Sequence, residues 1–518
     1  MRAVRWTILL LLAAVASCAR DSGPRAGGVA SAADPPYDRT IVVDSPEWTA
    51  DIVPDCERST PGDLPGPDGR VTLPDVLCVA AGRGTERYRV VLDFPGDATV
   101  AGRRWPTGGT WLPERIAVLE APAGKRARLK AAALGVEGFL VRRGENAPLL
   151  VRRLEFDGFR STAIFVVESS RGPIRIEDCA FARNERGLYN EGRNLTVRRC
   201  LFADNTLIGI KTRGGRVAVE DSRFERTGSP ARDHGCYGFF AENASDVAVR
   251  GSLFDGTFGE PHQAWAVWVG GSANVRIEGN VFLRNRTTDV AIEKSTDVQV
   301  LGNGIVGGPR PDAGTSVVVV QSGCRRVHLW GNAIEGGSGN AVTVECAAGN
   351  RIAANAITGG AGGGIRWIGC DAIHDQPADV LFANRVTGVA GQGILLQGPG
   401  PRSTPLTVLG NLLTGNGAGV DLQGKLAGAV VRDNLVEGSR ETGIRVNEDS
   451  DGIVLTGNRV TRSGRDGIVV LSRGNVVTRN RSAGNGGKAI VLASPDAQRE
   501  VEDNSADGTR DAKRGCGG

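Results

Sequence analysis

The sequence predicts an all-β protein, wound as a single-stranded, right-handed parallel β-helix of about 14–16 coils with a short N-terminal helical cap. Three observations predict it. First, a phrase of the form apolar-x-apolar-x-Gly-Asn recurs at Val275–Asn280, Val298–Asn303, Val327–Asn332, Leu406–Asn411 and Ile453–Asn458, with variants ending at Asn355, Asn384, Asn434, Asn480 and Asn504. Successive asparagines from Asn280 to Asn504 stand 23, 29, 23, 29, 27, 23, 24, 22 and 24 residues apart, enough for short alternating strands separated by turns. Second, a glycine followed by Ile or Val falls between them, at Gly364, Gly393, Gly419, Gly443 and Gly467. Third, glycine supplies 74 of 518 residues and aromatics 5%, against a usual glycine share of about 7%. A core of helices packed around aromatic side chains does not fit that composition.

A leucine-rich repeat has a similar period, but it needs a leucine-dense signature and a helical return segment. Here Val and Ile dominate the repeat and no unit carries a helical period. Coils stacked about 4.8 Å apart let each asparagine amide bond to those above and below it. Asparagine is therefore read as a ladder residue and not as a catalyst. The same slot continues upstream through Ser252, Ser222, Cys200 and Cys179, which carries the coils back to Leu149, with weaker units from Ile116.

At the N-terminus, Arg2 and Arg5 precede an apolar run from Trp6 to Ala16 that is too short to span a bilayer stably. Val15-Ala16-Ser17-Cys18 resembles the lipobox of bacterial lipoproteins, which implies cleavage before Cys18 and lipidation of its thiol. The plainer reading is an ordinary secretory signal with Cys18 a bystander. The expected organisation is a signal peptide over 1–17, a lipidated flexible tether over 18–36, a cap region over 37–115, the β-helix over 116–505 and a tail over 506–518. The expected location is the bacterial cell envelope, at the outer membrane, periplasm or cell surface, with the protein lipid-anchored and monomeric.

Thr72-Leu73-Pro74-Asp75 reads as a helix capping box, and the apolar residues after it suit a cap over the first coil, whose strand edges would otherwise stand unpaired. The string from Asp68 to Leu73 resembles the Asp-Gly-x-x-Thr-Leu opening of exported right-handed parallel β-helix repeat proteins of the pectate-lyase-like superfamily, with Pro74-Asp75 where Arg-Glu is usual. That resemblance covers nearly the whole mature chain. It implies a ligand groove along one strand face and activities ranging from lyases, epimerases and glycosidases to non-catalytic surface proteins.

The chain has ten cysteines, and export favours disulfides. Cys179 and Cys200 share one ladder slot on adjacent coils, about 5 Å apart, which is bridging range. Cys56 with Cys78 forms a second expected pair, and two of Cys324, Cys346 and Cys370 can join while the third stays free.

Counting from each glycine of the second phrase, the second and fourth residues point outward. The second-position column begins Tyr189, Lys211, Phe240, Trp268 and Ala291 and continues through Val318; the fourth-position column begins Glu191, Arg213, Glu242, Gly270 and Glu293. The long turns beside them place Asp233, His234 and Tyr237 next to Glu260, His262 and Trp265. Aromatic faces stack on sugar rings, while carboxylates, imidazoles and cations suit uronic acid chemistry. The candidate catalytic groups are therefore Asp233, His234, Tyr237, His262, Lys211 and Glu242, and the candidate substrate-binding groups are Tyr189, Arg213, Trp268 and Glu293. Against this stands the plain fact that outward strand positions are polar in any soluble sheet.

Other chemistries fit less well. The net charge of +4 with no basic block argues against nucleic acid as a partner. The only methionine is Met1, the histidines are four and no zinc spacing occurs, so no transition-metal site is expected; Ca²⁺ at a cluster of Asp and Glu stays open but is supported by no loop motif, and no other cofactor is implied. Two readings stay open. One is a lipid-tethered protein that binds or modifies a polysaccharide or other envelope glycan, as a lyase, epimerase or glycosidase if it is an enzyme. The other is a non-catalytic envelope or cell-surface scaffold.

Overall fold

The computed structural model describes residues 33–50, 56–100, 110–132, 136–229, 235–258, 264–286, 288–306, 315–370, 377–399, 406–506 and 509–510. Its fold is an all-β right-handed parallel β-solenoid of about 15 turns with one short helix near the N-terminus. The chain divides into two compact units, Met1–Val267 and Trp268–Gly518.

In the first unit each turn contributes one strand to each of three parallel sheets. Ile174–Glu177, Ala180–Ala182 and Arg186–Asn190 are followed one turn later by Asn194–Arg198, Leu201–Ala203 and Ile208–Arg213. Like residues stack on like, with Ile176 opposite Val197 and Phe181 opposite Phe202. The interior of the second sheet is a column of Phe156, Phe181, Phe202, Phe224 and Phe254, whose successive ring centroids lie 5.1, 4.8, 4.9 and 4.5 Å apart. This stacking explains the glycine that opens the third strand of a turn. A Cβ on Gly209 would stand 2.8 Å from the Phe224 ring and 2.5 Å from the Gly238 carbonyl oxygen, so only a residue without a side chain lets the ring lie flat.

The sharp corner between the first and second strands takes one residue in the left-handed region, followed by the ladder residue. In the second unit that residue is often glycine, as at Gly302 with φ +57°, where any other residue carries a strain of roughly 1 kcal/mol. Asn303 then accepts the backbone N–H and side-chain amide of Asn280 and donates to the Ile277 carbonyl at 3.0 Å. The pattern repeats through Asn332, Asn355, Asn384 and onward to Asn504. In the first unit Ser222 and Ser252 hold the equivalent slot, each accepting the N–H of the turn before.

Three features differ from expectation. A second ladder runs at the next corner, where Asn184 and Asn205 accept from Phe159 and Asn184, and Asn416 and Asn485 act likewise in the second unit. The parallel stack starts upstream of residue 116, because Arg39–Val43 pairs with Tyr88–Leu92 and that strand pairs with Ile116–Glu120. Cys179 and Cys200 are free and buried, a correction to the expected bridge. Their thiols donate instead to the carbonyls of Glu177 and Arg198, which is how the serines occupying this slot in later turns are satisfied. Disulfides join Cys56 to Cys78 and Cys346 to Cys370, with Cα atoms 4.7 and 5.0 Å apart, while Cys324 is free.

The helix spans Leu73–Ala81 and begins with a reciprocal cap. Thr72 Oγ1 accepts from the Asp75 N–H and an Asp75 oxygen accepts from the Thr72 N–H. Leu73, Val76, Leu77 and Val79 are buried. Arg115 donates to the carbonyls of Val79 and Gly82 at the helix C-terminus, satisfying groups that a helix end leaves open.

Candidate functional site

The site forms on the outward face of the third sheet in the first unit. Strand alternation puts Ile164, Leu188, Ile210 and Phe239 inside, at 2% exposure or less, and so turns their neighbours outward. Phe165, Tyr189, Lys211 and Phe240 pair in register one turn after another. The Phe165 and Tyr189 rings stack with centroids 4.9 Å apart. Lys211 Nζ lies 4.9 Å from the Tyr189 centroid and 5.3 Å from that of Phe240, an ammonium held between two ring faces. Tyr237 meets Phe240 edge-on at 4.7 Å and stacks on Trp265 at 5.4 Å. The result is one continuous stripe, Phe165–Tyr189–Lys211–Phe240–Tyr237–Trp265.

A cleft of about 640 Å³ opens at the same end of these strands, lined by Glu168, Ser169, Arg171, Glu191, Arg193 and Arg213. Gly214 and Gly215, both in the left-handed region, follow the strand Ile208–Arg213 and also line the cleft. Tyr189 links stripe and cleft by donating its hydroxyl to Glu191. Arg213 donates to Glu242 at 2.7 Å, whereas Arg193 is exposed with no acidic partner among the described residues.

Burial sets the electrostatics of the stripe. Burial, helped by the bond to Glu191, pushes the Tyr189 hydroxyl up to about 12. Burial, with the nearby Cys236 and Glu242, does the same to Tyr237. Both phenols are therefore protonated near neutral pH and present hydroxyl donors. Burial, with Arg213 and Arg186 adding to it, lowers the Lys211 ammonium below its ordinary value. Among the described residues no group of three or more His, Cys, Asp or Glu side chains could hold a metal ion.

Of the candidates read from sequence, Tyr189, Lys211, Arg213, Tyr237 and Glu242 come together here. Asp233, His234, Glu260, His262 and Cys18 lie outside the described residues. Trp268 and Glu293 belong to the second unit. There Trp268 is half-buried with its ring lying over Gly270, and Glu293 pairs with Lys294 at 3.0 Å and sits opposite Gln321. The outward column also shifts by one residue: Ala291 pairs with Val319, and Val318 faces Val290. Sequence reasoning missed Phe165 because its strand, Thr162–Val166, lacks the opening glycine that set the count. It missed Arg171 and Arg193 because they sit in turns.

Comparison with solved structures finds distant likenesses. A surface adhesin of Streptococcus pneumoniae, PfbA, is 14% identical over 57% of this chain and 84% of its own, with a TM-score of 0.42. A double mutant of the periplasmic alginate epimerase AlgG is 11% identical over 69% of this chain and 76% of its own, with a TM-score of 0.36. A PL6 family polysaccharide lyase from Pseudopedobacter saltans is 13% identical over 74% and 80%, with a TM-score of 0.29. Comparison with curated protein sequences finds no match. The family model described as the right handed beta helix region matches residues 137–309, 312–460 and 372–517. On that coverage, and with the turn-by-turn pairing above, the chain belongs to the right-handed β-helix family.

Proposed function

We propose that this protein is an exported envelope protein that binds an acidic polysaccharide along the outward face of its first unit. The observation that carries the reading is the stripe from Phe165 to Trp265, five rings with one cation held among them. Flat apolar rings suit the C–H faces of sugars, and Lys211 with Arg193, which has no acidic partner among the described residues, suits their carboxylates. The two disulfides support export, since such bonds persist in oxidising compartments. Anchoring through a lipid on Cys18 and a monomeric state belong to the same proposal.

The test is equilibrium binding of uronic acid oligomers to the full-length protein, with polymer degradation followed in the same samples. Phe165→Ala and Lys211→Ala are each expected to weaken binding about tenfold with little change in melting temperature. Cleavage or epimerisation that His234→Ala abolishes would assign catalysis to the Asp233, His234 and His262 group. Wild-type protein that binds no uronate oligomer, or variants that bind as well as wild type, would overturn the reading in favour of a scaffold.

A further inference from the structure

The outward face of the first sheet differs between the units. In the first unit one outward column reads Glu177, Arg198, Glu220 and Arg250 in register. Those are alternating charges, as expected of a solvated strand face. In the second unit a column that starts at Glu278 instead runs Leu301, Trp330, Ala353, Phe382 and Leu409 before returning to charge at Arg432. Trp330 is 47% exposed, one of the three most exposed large apolar residues described. Ala353 is small enough for Trp330 and Phe382, two turns apart, to meet across it with ring centroids 5.4 Å apart at 66°.

The neighbouring outward column carries Gln299, His328 and Arg351 in register. Arg351 is exposed and has no acidic partner among the described residues, and the same holds for Arg325. The acids nearby are already engaged: Asp297 is bound by Arg326 through two hydrogen bonds, and Glu278 by Arg276. Among the described residues the face therefore offers an apolar file flanked by cations that have no acidic partner, and no carboxylate left without one.

The dimensions select the occupant. Five rungs at about 4.8 Å each occupy about 24 Å and two outward columns at about 7 Å each about 14 Å, roughly 330 Å² in all. A stable protein partner needs about 800 Å² on each side. A narrow, straight file with a ring platform and a flanking cation fits a linear polymer of ring-shaped, negatively charged units. We propose that this face is a second binding track for an acidic sugar polymer, with one ring on Trp330 and its carboxylate at Arg351. The proposal shares its ligand class with the first-unit reading but does not depend on it.

The test uses full-length protein in detergent, with short galacturonate and mannuronate oligomers, maltohexaose as a neutral comparison and phosphatidylglycerol vesicles. Binding is measured in a Tyr189→Ala background so that the two faces are read separately. Added there, Trp330→Ala and Arg351→Gln should each weaken uronate binding about tenfold. Trp330→Phe should keep most of it, and Arg351→Gln should also abolish the preference over maltohexaose. Trp330 is exposed, so melting temperatures should stay within a few degrees. If Trp330→Ala and Arg351→Gln bind as their background does while Tyr189→Ala alone weakens wild type, the track is wrong and the first-unit reading stands. Loss only on changing Trp330 and Arg351 would keep the track and overturn the first-unit reading. Partition onto vesicles without uronate binding, or no binding at all, overturns the track.

Discussion

Inside the second unit, Trp367 donates its indole N–H to Asp379 Oδ2 at 2.6 Å, while the Asn350 backbone N–H is donated to Oδ1 at 2.7 Å. Trp367 is 1% exposed and Asp379 0%. Burial pushes the Asp379 carboxyl up to about 6, against the hydrogen bonds that hold it down.

That relationship predicts an unusual pH dependence. The folded value of about 6 lies above the ordinary 3.8, so between them the folded state binds the proton more tightly. The stability from this group is complete below 3.8 and is lost as pH rises through about 6, by on the order of 3 kcal/mol. Asp379→Asn removes the dependence. The difference in unfolding free energy between variant and wild type should therefore grow in the variant's favour from about pH 4 to about pH 7.5. A difference that stays flat over that range would contradict the assignment.

The asparagine ladder should fail locally. Asn384 accepts from the backbone and side chain of Asn355 and donates to the Ile352 carbonyl and to Asn411. Asn384→Leu leaves several buried groups unpaired, at a cost of about 2–4 kcal/mol. In a stacked repeat that loss is felt by adjoining turns first. Hydrogen exchange should accelerate at the Asn355 amide and leave amides of the first unit, such as that of Asn184, unchanged.

Asp204 and Arg226 stand at the corners of successive turns, joined by two hydrogen bonds of 2.6 and 2.8 Å, and both adopt positive φ. The bond to Arg226 holds the Asp204 carboxyl below its ordinary value. Both side chains are exposed, so the pair contributes at most about 1 kcal/mol. Arg226→Gly loses the pair but relieves the left-handed strain, whereas Arg226→Ala loses the pair and keeps it. Thermal melts should rank glycine above alanine by roughly 1 kcal/mol, and the reverse order would show that side-chain packing outweighs the corner geometry.

The free thiols in the first unit make a chemical prediction. Cys179 and Cys200 are 0% and 2% exposed, and burial, together with Cys179, raises the Cys200 thiol well above its ordinary value. Thiolates are the reactive form, so iodoacetamide should leave both residues unmodified in native protein and label both in denaturant. Cys200→Ser should melt within a few degrees of wild type, because Ser222 fills the same slot one turn later with a hydroxyl bonded to the Glu220 carbonyl. Labelling of native Cys200 would show the slot to be open.

What the sequence determined by itself was whatever is written within one turn. The alternation of Val and Ile, the glycine that clears space for a phenylalanine ring, the left-handed corner and the asparagine after it are local rules repeated many times, and so they announce strands, corners and ladder without reference to any distant residue. The capping box at Thr72 is legible for the same reason. The tertiary structure alone decided which residues of different turns meet, because that depends on the length and path of each connecting turn. Phe165 reaches Tyr189 although its strand lacks the marker glycine. Val319, and not Val318, continues the outward column, because its strand opens on no Gly-Ile marker from which to count. Cys179 and Cys200 share a slot yet turn their sulfurs to carbonyls, and Trp330 meets Phe382, two turns away, only because Ala353 between them is small. A side-chain period fixes the face on which a residue lies; its neighbours on that face are set by the stacking of turns, which no single turn contains.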